Sequence, residues 1–426
     1  MLDIKRIREQ PDAVRDRLAV RGDPGLAAAI DRALELDEAR RGLVAEVDDM
    51  RARRNEVSPR VGELKREGNE EEAQTVIREM RELGDALAAK EDELAGVEDA
   101  LHTLLMEVPN TPAEDVPPGG EADSPVLREW GEPPAGDWER RPHWELGEAL
   151  GILDLPRGAR IAGSGFPVYK GLGARLERGL INFMIDLHTD RHGYTEVWPP
   201  LLVNAGAARG TGHLPKFGDD MYHAGEDGLY LVPTAELPLT NLHADEILAP
   251  DDVPVRYAAY TPCFRREAGA HGKDTRGLLR LHQFDKVEMM RFERPESSDD
   301  ALEELTGHAE AVLQALGLRY RVLLLAGGDL GFGNAKTYDL EAWAPAVGRW
   351  LEVSSCSTYT DYQARRAEIR YRPAPGEKPE YVHTLNGSGL GIARTMVAIL
   401  EHYQHPDGTV EVPEVLRPYV GVDRIT

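Results

Sequence analysis

The sequence predicts an α+β fold: a long antiparallel helical coiled-coil hairpin, followed by a mostly antiparallel sheet flanked by helices. Three observations lead there. From about residue 26 to residue 106, apolar residues recur at coiled-coil spacing. A break follows, with seven prolines between Pro109 and Pro134 and the pair Gly119-Gly120. Beyond it, apolar helical stretches (172–192, 301–316, 390–403) alternate with short β-rich runs (255–260, 281–292, 320–325) joined by hairpin-like connections. Strands so connected, with helices interspersed, build one antiparallel sheet. A chain of 426 residues, 41% hydrophobic and 29% charged, has room for more than one folded unit.

The hairpin comes first. Leu36, Leu43, Met50, Val57 and Leu64 repeat every seven residues, with Val47 and Val61 beside them. In the second helix Val76, Met80, Leu83, Leu87, Lys90, Leu94, Val97, Leu101 and Leu104 alternate steps of four and three. Gly68-Asn69 supplies the turn, with Asn69 placed to cap the second helix. Helices of about 38 residues extend roughly 55–60 Å. The outer half of the first carries Arg51, Arg53, Arg54, Arg60, Lys65 and Arg66 against only Glu56 and Glu63. A net charge of −25 opposes long-range attraction of a polyanion, but a local basic patch is compatible with docking one particular nucleic acid. A bare coiled coil serves dimerisation equally well. Arg40 and Arg54, at seam positions, weaken dry packing or snorkel out of it. The pattern alone leaves the role of the arm open.

Composition excludes several classes. No run of about 18 apolar residues exists, so no membrane-spanning helix is expected. The first residues, Met1-Leu-Asp-Ile-Lys-Arg-Ile-Arg, carry charge where a signal peptide needs an apolar stretch. Cys263 and Cys356 make neither a disulfide framework nor a four-sulfur metal site. The expected compartment is the cytoplasm.

The chemistry concentrates in the segment from Tyr260 to Glu288, two strands around a glycine-rich loop. Alternation puts Thr261, Cys263, Arg265 and Glu267 on one face, and His282, Phe284, Lys286 and Glu288 on one face of the returning strand. If both faces meet in a cleft, Arg265 grips phosphate oxygens bidentately, Phe284 stacks on a purine, and Glu288 receives an ammonium or hydroxyl. A surface hairpin laced with salt bridges would look the same residue by residue. Asn386-Gly-Ser-Gly-Leu-Gly-Ile-Ala-Arg394 precedes a helix; its glycines allow close backbone approach to a nucleotide, and Arg394 adds fixed positive charge for a triphosphate. It lacks the context of a dinucleotide fingerprint, and a tight turn packed on a sheet is the alternative. Glu352 and a neighbouring serine are hard oxygen donors suited to magnesium. Thr234 and Glu236 would line a small polar pocket.

Taken together, these segments resemble motifs 2 and 3 of class II aminoacyl-tRNA synthetases, and helix 172–192 with Pro199-Pro200 is similar to motif 1, the dimer-forming element. The nearest likeness is to the seryl-tRNA synthetase family. It rests on Thr234-Ala-Glu, Arg276-Gly-Leu-Leu-Arg-Leu-His-Gln-Phe-Asp-Lys-Val-Glu288, Gly333-Asn-Ala-Lys-Thr-Tyr-Asp-Leu-Glu341, Glu352-Val-Ser-Ser-Cys-Ser, Gln363-Ala-Arg-Arg366 and Asn386-Gly-Ser-Gly. It spans about residues 1 to 420. The resemblance implies a class II synthetase-like antiparallel sheet and three regions: a helical tRNA-binding arm (1–108), a proline-rich linker (109–135) and a catalytic domain (136–426).

It also implies roles. Arg265, Glu288 and Arg394 would be catalytic. ATP would meet Arg265, Arg266, Glu267, Phe284, Glu352, Val353, Ser354, Ser355 and Arg394. Serine would meet Thr234, Ala235, Glu236, Arg265, Glu288 and Ser388. Glu352 and Ser355 would hold magnesium with ATP. Strict alternation separates that pair, and a bulge, or contact through the Ser355 backbone, would reunite it. The arm, through Arg51, Arg53, Arg54 and Arg60, would reach across a homodimer to the long variable arm of serine tRNA. Selenocysteine tRNA is a further candidate partner. Where the family commonly has serine, Arg266 stands here, on the face away from Arg265. No cysteine–histidine cluster accompanies Glu288, so no zinc is expected, and no membrane partner either. Relatives that load a carrier protein lack such an arm, and a catalytically dead scaffold would be expected to lose Arg265, Glu288 or Arg394. A second copy of such an enzyme, conferring resistance to a serine-mimicking antibiotic, fits the sequence equally.

Overall fold

The computed structural model describes residues 1–268 and 276–426. The middle of the glycine-rich loop, 269–275, lies outside the described residues. The chain divides into two compact units: residues 2–19 with 23–108, and Met1, 20–22 and 109–426. Among the described residues no helix is long and apolar enough to cross a membrane.

The first unit is the hairpin, α1 (Gly25–Arg66) against α2 (Glu70–Glu107). Its seam follows the heptads. Leu36, Leu43, Val47 and Leu64 of α1 are buried, as are Val76, Leu87 and Leu101 of α2, while Met50, Val57, Val61 and Met80 are half-buried. Gly68 turns the chain at φ +78°, a conformation only glycine adopts cheaply. Asn69 occupies the cap position, but its side chain makes no capping bond; at φ −84°, ψ 63° the backbone is not in the extended geometry a side-chain cap uses. The two seam arginines differ. Arg40 bonds the carboxylate of the buried Asp37 at 3.1 Å, whereas Arg54 is exposed.

The second unit is built on a sheet of eight strands: β1 (Val126–Trp130), β2 (Thr195–Glu196), β3 (Val255–Phe264), β4 (Gln283–Glu293), β5 (Tyr320–Leu324), β6 (Lys336–Ala344), β7 (Arg349–Thr360) and β8 (His383–Gly391). Their spatial order is β1-β5-β6-β7-β8-β4-β3-β2, antiparallel throughout except for the parallel pair β3–β2. The proline-rich segment contributes an edge: β1, which the sequence pattern did not reveal, pairs with β5. Helix α3 (His143–Ala149) precedes three longer ones, α4 (Leu172–His192), α5 (Ser298–Ala315) and α6 (Ile392–His402).

One face of the sheet belongs to these helices. Leu180 and Met184 of α4, Leu305 and Val312 of α5, and Met396 and Leu400 of α6 join Val287, Met289, Val322, Leu340 and Leu385 of the strands in one buried cluster. Each fully buried side chain of this size is worth about 1.5–3 kcal/mol. Because strand side chains alternate, burying Val287 and Met289 turns Phe284, Lys286 and Glu288 to the other face. That face holds the site.

Candidate active site

The second face of the sheet, partly covered by a further buried cluster around Met290 and Phe292, floors a cleft of about 250 Å³. Cross-strand register assembles the floor. Glu288 of β4 lies opposite Ser388 of β8, Lys286 opposite Thr261 of β3, and Phe284 opposite Cys263. The two cysteines are fully buried, and burial pushes both thiols up, Cys356 to about 12, so neither offers a thiolate.

A polar cluster fills one end. Lys286 and Glu288, both buried, form an ion pair. Thr234 ties them together: its hydroxyl accepts from Lys286 Nζ at 2.8 Å and donates to Glu288 Oε2 at 3.2 Å. The Glu236 N–H donates to the Thr234 hydroxyl oxygen at 3.3 Å. Glu236 opens the short helix Glu236–Thr240. Burial, then the neighbouring Glu288 charge, pushes its carboxyl up to about 7, although Gln363 Nε2 donates to it at 2.6 Å. Above them His213 is pushed down to about 3, first by burial and then by Arg265 and Lys286, and so stays neutral. A pocket with an ammonium, two carboxyl groups and two hydroxyls in contact distance suits a small zwitterion carrying a hydroxyl.

Two arginines line the same cleft. Arg265, just past β3, holds its guanidinium 5.1 Å from the centre of the Phe284 ring and donates from Nε to the Pro233 carbonyl at 3.4 Å. Arg394, in the first turn of α6, donates from Nη1 to the Glu352 carbonyl at 2.8 Å and to its carboxylate at 3.3 Å. Between them, Glu267 pairs with Arg280. A bulge in β7 places the acidic donor. Leu340 faces Ser354 while Glu341 faces Glu352, so Val353 is the extra residue and Glu352 and Ser355 emerge on one side.

The cleft wall thus contains Thr234, Glu236, Arg265, Glu267, Phe284, Glu288, Glu352, Val353, Ser355, Ser388 and Arg394. Three expected residues lie elsewhere. Arg266 is exposed, with its N–H on the Asp220 carbonyl. Ala235 is buried at the start of the short helix, and Ser354 points into the sheet, donating to the Ser388 carbonyl at 2.7 Å. The glycine string also reads differently in space. It is strand β8, and the core is what requires its glycines: a Cβ on Gly387 would meet Cys356 Sγ at 2.7 Å, and one on Gly389 would meet His188 Nε2 at 2.6 Å. The arm arginines all lie on α1 and are exposed. Arg51 bonds Glu91 at 2.8 Å and Arg60 bonds Glu72 at 3.3 Å, while Arg53 and Arg54 make no ion pair among the described residues.

Known proteins resemble this chain in sequence and fold. Residues 1–112 match the model of the seryl-tRNA synthetase N-terminal domain, and residues 220–403 that of the tRNA synthetase class II core domain (G, H, P, S and T). A serine--tRNA ligase of Gemmatimonas aurantiaca is 53% identical over 99% of both chains. The chain belongs to the seryl-tRNA synthetase family. The seryl-tRNA synthetase of Pyrococcus horikoshii, solved with ATP, superposes with a TM-score of 0.95 at 37% identity, over 100% of this chain and 99% of that one. The cytoplasmic serine-tRNA ligase of Naegleria fowleri, solved with AMP, gives 0.89 at 29%, again over 100% and 99%.

In this member of the seryl-tRNA synthetase family, the cleft residues to which the sequence assigned no role include Lys286, His213, Tyr359 and Asn386. Strand alternation had placed Lys286 on the right face, and Asn386 sits inside a quoted motif, so both carried a signal. His213 lies in a loop with no pattern around it, and only folding brings it over the cleft.

Proposed function

We propose that the protein activates L-serine with ATP to seryl-adenylate and transfers the seryl group to the 3′ end of serine tRNA. The observation that carries this is the meeting of Arg265, Glu288, Ser388, Glu352 and Arg394, from five separate segments, on one cleft. Serine lies over Lys286–Glu288, its ammonium and hydroxyl read by Glu288, Glu236, Thr234 and Ser388. Its carboxylate attacks the α-phosphorus in line and expels pyrophosphate, with no protein nucleophile. Arg265 and Arg394 offset the charge that shifts onto the phosphates, the main lever in phosphoryl transfer. Phe284 stacks on adenine, Glu267 contacts its edge, and Arg394 exchanges its bonds to Glu352 for the γ-phosphate. The 3′-hydroxyl of the tRNA then attacks the adenylate carbonyl and AMP departs.

Alanine would leave the polar groups unpaired, a loss of about 10⁴-fold at a well-built hydroxyl site. Magnesium fits the donor set: Glu352 and Ser355 share a face, and Asp339, opposite Ser355, keeps a buried Oδ1 without a hydrogen-bond partner. Bound there with ATP, the ion would offset phosphate charge. The arm docks on tRNA phosphates and shape, and a homodimer and selenocysteine tRNA complete the reading. ATP–pyrophosphate exchange with each of the twenty amino acids tests it: serine alone is expected to stimulate, and stimulation by another amino acid in its place overturns the substrate.

A further inference from the structure

The cleft wall at Leu278, Leu279 and Arg280 belongs to no helix or strand, so its position must be fixed from outside. Helix α3 supplies the grip. His143 is fully buried and its Nε2 accepts the Leu278 N–H at 3.0 Å. A nitrogen that receives an N–H carries no proton, so the ring proton sits on Nδ1 and is donated to Glu401 Oε1 at 2.8 Å. Glu401, equally buried, also receives the N–H groups of His143 at 3.1 Å, Ala346 at 2.9 Å and Val347 at 3.0 Å. Four donors on one carboxylate are what a buried charge requires. Gly277, at φ +69°, approaches so closely that a Cβ would lie 2.2 Å from His143 Nε2. Next along α3, Trp144 carries the Arg276 guanidinium 4.9 Å from its ring centre.

The other end of this chain of bonds is also anchored. Glu401 lies on α6, the helix that carries Arg394 in its first turn, and Arg394 Nε donates to the Leu279 carbonyl at 3.3 Å. One helix therefore fixes two successive residues of the wall: the Leu279 carbonyl directly, and the Leu278 N–H through Glu401 and His143. We infer that His143 is a positioning residue for the ATP half of the site, holding residues 276–280 so that Arg280 keeps Glu267 on the adenine side. The inference rests on the function proposed above. Glu288 sits on β4, Ser388 on β8, Glu236 at the head of the short helix and Thr234 just before it, and among the described residues none of them bonds this limb, so serine binding should not feel its displacement.

The test is ATP–pyrophosphate exchange on the full-length protein, with active sites counted by single-turnover adenylate formation. His143→Ala should raise KM for ATP about tenfold with KM for serine within about twofold, the scale expected when a binding group is misplaced by under an ångström. His143→Gln, which can still accept from Leu278, should recover most of the ATP KM. His143→Asn, which reaches Glu401 but not Leu278, should not. Leu313→Ala, a core change in α5, should lower Tm yet leave both KM values alone. Arg276→Ala, at an exposed residue, should raise the ATP KM about two- to threefold at unchanged Tm, and decides the matter if the His143 variants do not fold. An unchanged ATP KM, a parallel rise for serine, or equal behaviour of Gln and Asn overturns the inference. A wild-type protein with no serine-dependent exchange overturns instead the function on which it rests, and the inference with it.

Discussion

The arm and the cleft are built on opposite plans. In the arm, Leu36, Leu43 and Leu64 do the same work at multiples of seven residues, and Arg51, Arg53, Arg54 and Arg60 between them stand in solvent. In the cleft no residue has a duplicate: Arg265, Glu288, Ser388 and Arg394 come from separate segments, and each is held by its own partner. Repetition spreads an effect over many weak contacts in water, where each is screened. Convergence concentrates it into a few groups held at fixed positions, where charge is felt more strongly. Single substitutions in the two regions should therefore differ by orders of magnitude.

The largest effect is expected at Arg265. If Arg265 is the bidentate donor proposed for the reacting phosphate, its replacement by alanine removes that donor, and exchange kcat/KM should fall about 10³-fold. A loss under tenfold would erase the contrast between the regions. Glu288→Gln should cost about 10²-fold, with a second signature the arm cannot produce. It strips Lys286 of its counter-charge in a buried setting, at about 2–3 kcal/mol, so Tm should drop by several degrees. Activity lost at an unchanged Tm would mean the ion pair does not support the fold.

The same contrast governs what could be read from the sequence. The arm's fold was legible residue by residue, because a seven-residue period survives any context. Its function was not, since Arg51 and Arg53 look alike in sequence and differ only in what stands across the hairpin. In the cleft the opposite holds. Motif order singled out Arg265, Glu352 and Arg394, which the fold brings to one cleft, but strand order and the edge strand Val126–Trp130 were hidden, as pairing between distant segments leaves no local pattern. The bulge at Val353 shows the limit: alternation separated Glu352 from Ser355, and one extra residue brings them together. The glycines of β8 were read as room for a nucleotide. What they give is room for Cys356 and His188.

A smaller effect separates the regions by pH. Glu236 keeps its proton up to about 7 when folded and releases it near 4.5 when unfolded, burial being the main cause. Between those values the folded state binds one proton more, so its contribution is complete below 4.5 and is lost as pH rises to about 7. Unfolding free energy should fall by on the order of 2–3 kcal/mol across that window. Glu236→Gln should flatten the slope, whereas Glu98→Gln on the exposed face of α2 should leave it as it is. Identical slopes in wild type and Glu236→Gln, followed by chemical denaturation at pH 5 and 7.5, would place the proton elsewhere.

The smallest effects divide the arm itself. Arg51 and Arg60 already spend their charge on Glu91 and Glu72 across the hairpin, whereas Arg53 and Arg54 make no ion pair among the described residues. A phosphate gains a whole cation from the second pair, but must compete with a carboxylate for the first. Arg53→Ala and Arg54→Ala should each raise the tRNA KM about three- to fivefold, and each should flatten the log–log salt dependence by up to about one unit, as one released counterion requires. Arg51→Ala and Arg60→Ala should stay within about twofold, since an exposed pair is worth under about 1 kcal/mol and its removal also frees a glutamate that repels the tRNA. None of the four should alter ATP–pyrophosphate exchange. If Arg51 outweighs Arg53, the pair with Glu91 gives way on binding and carries the contact; if exchange falls together with tRNA charging, the arm and the cleft are not separable functions.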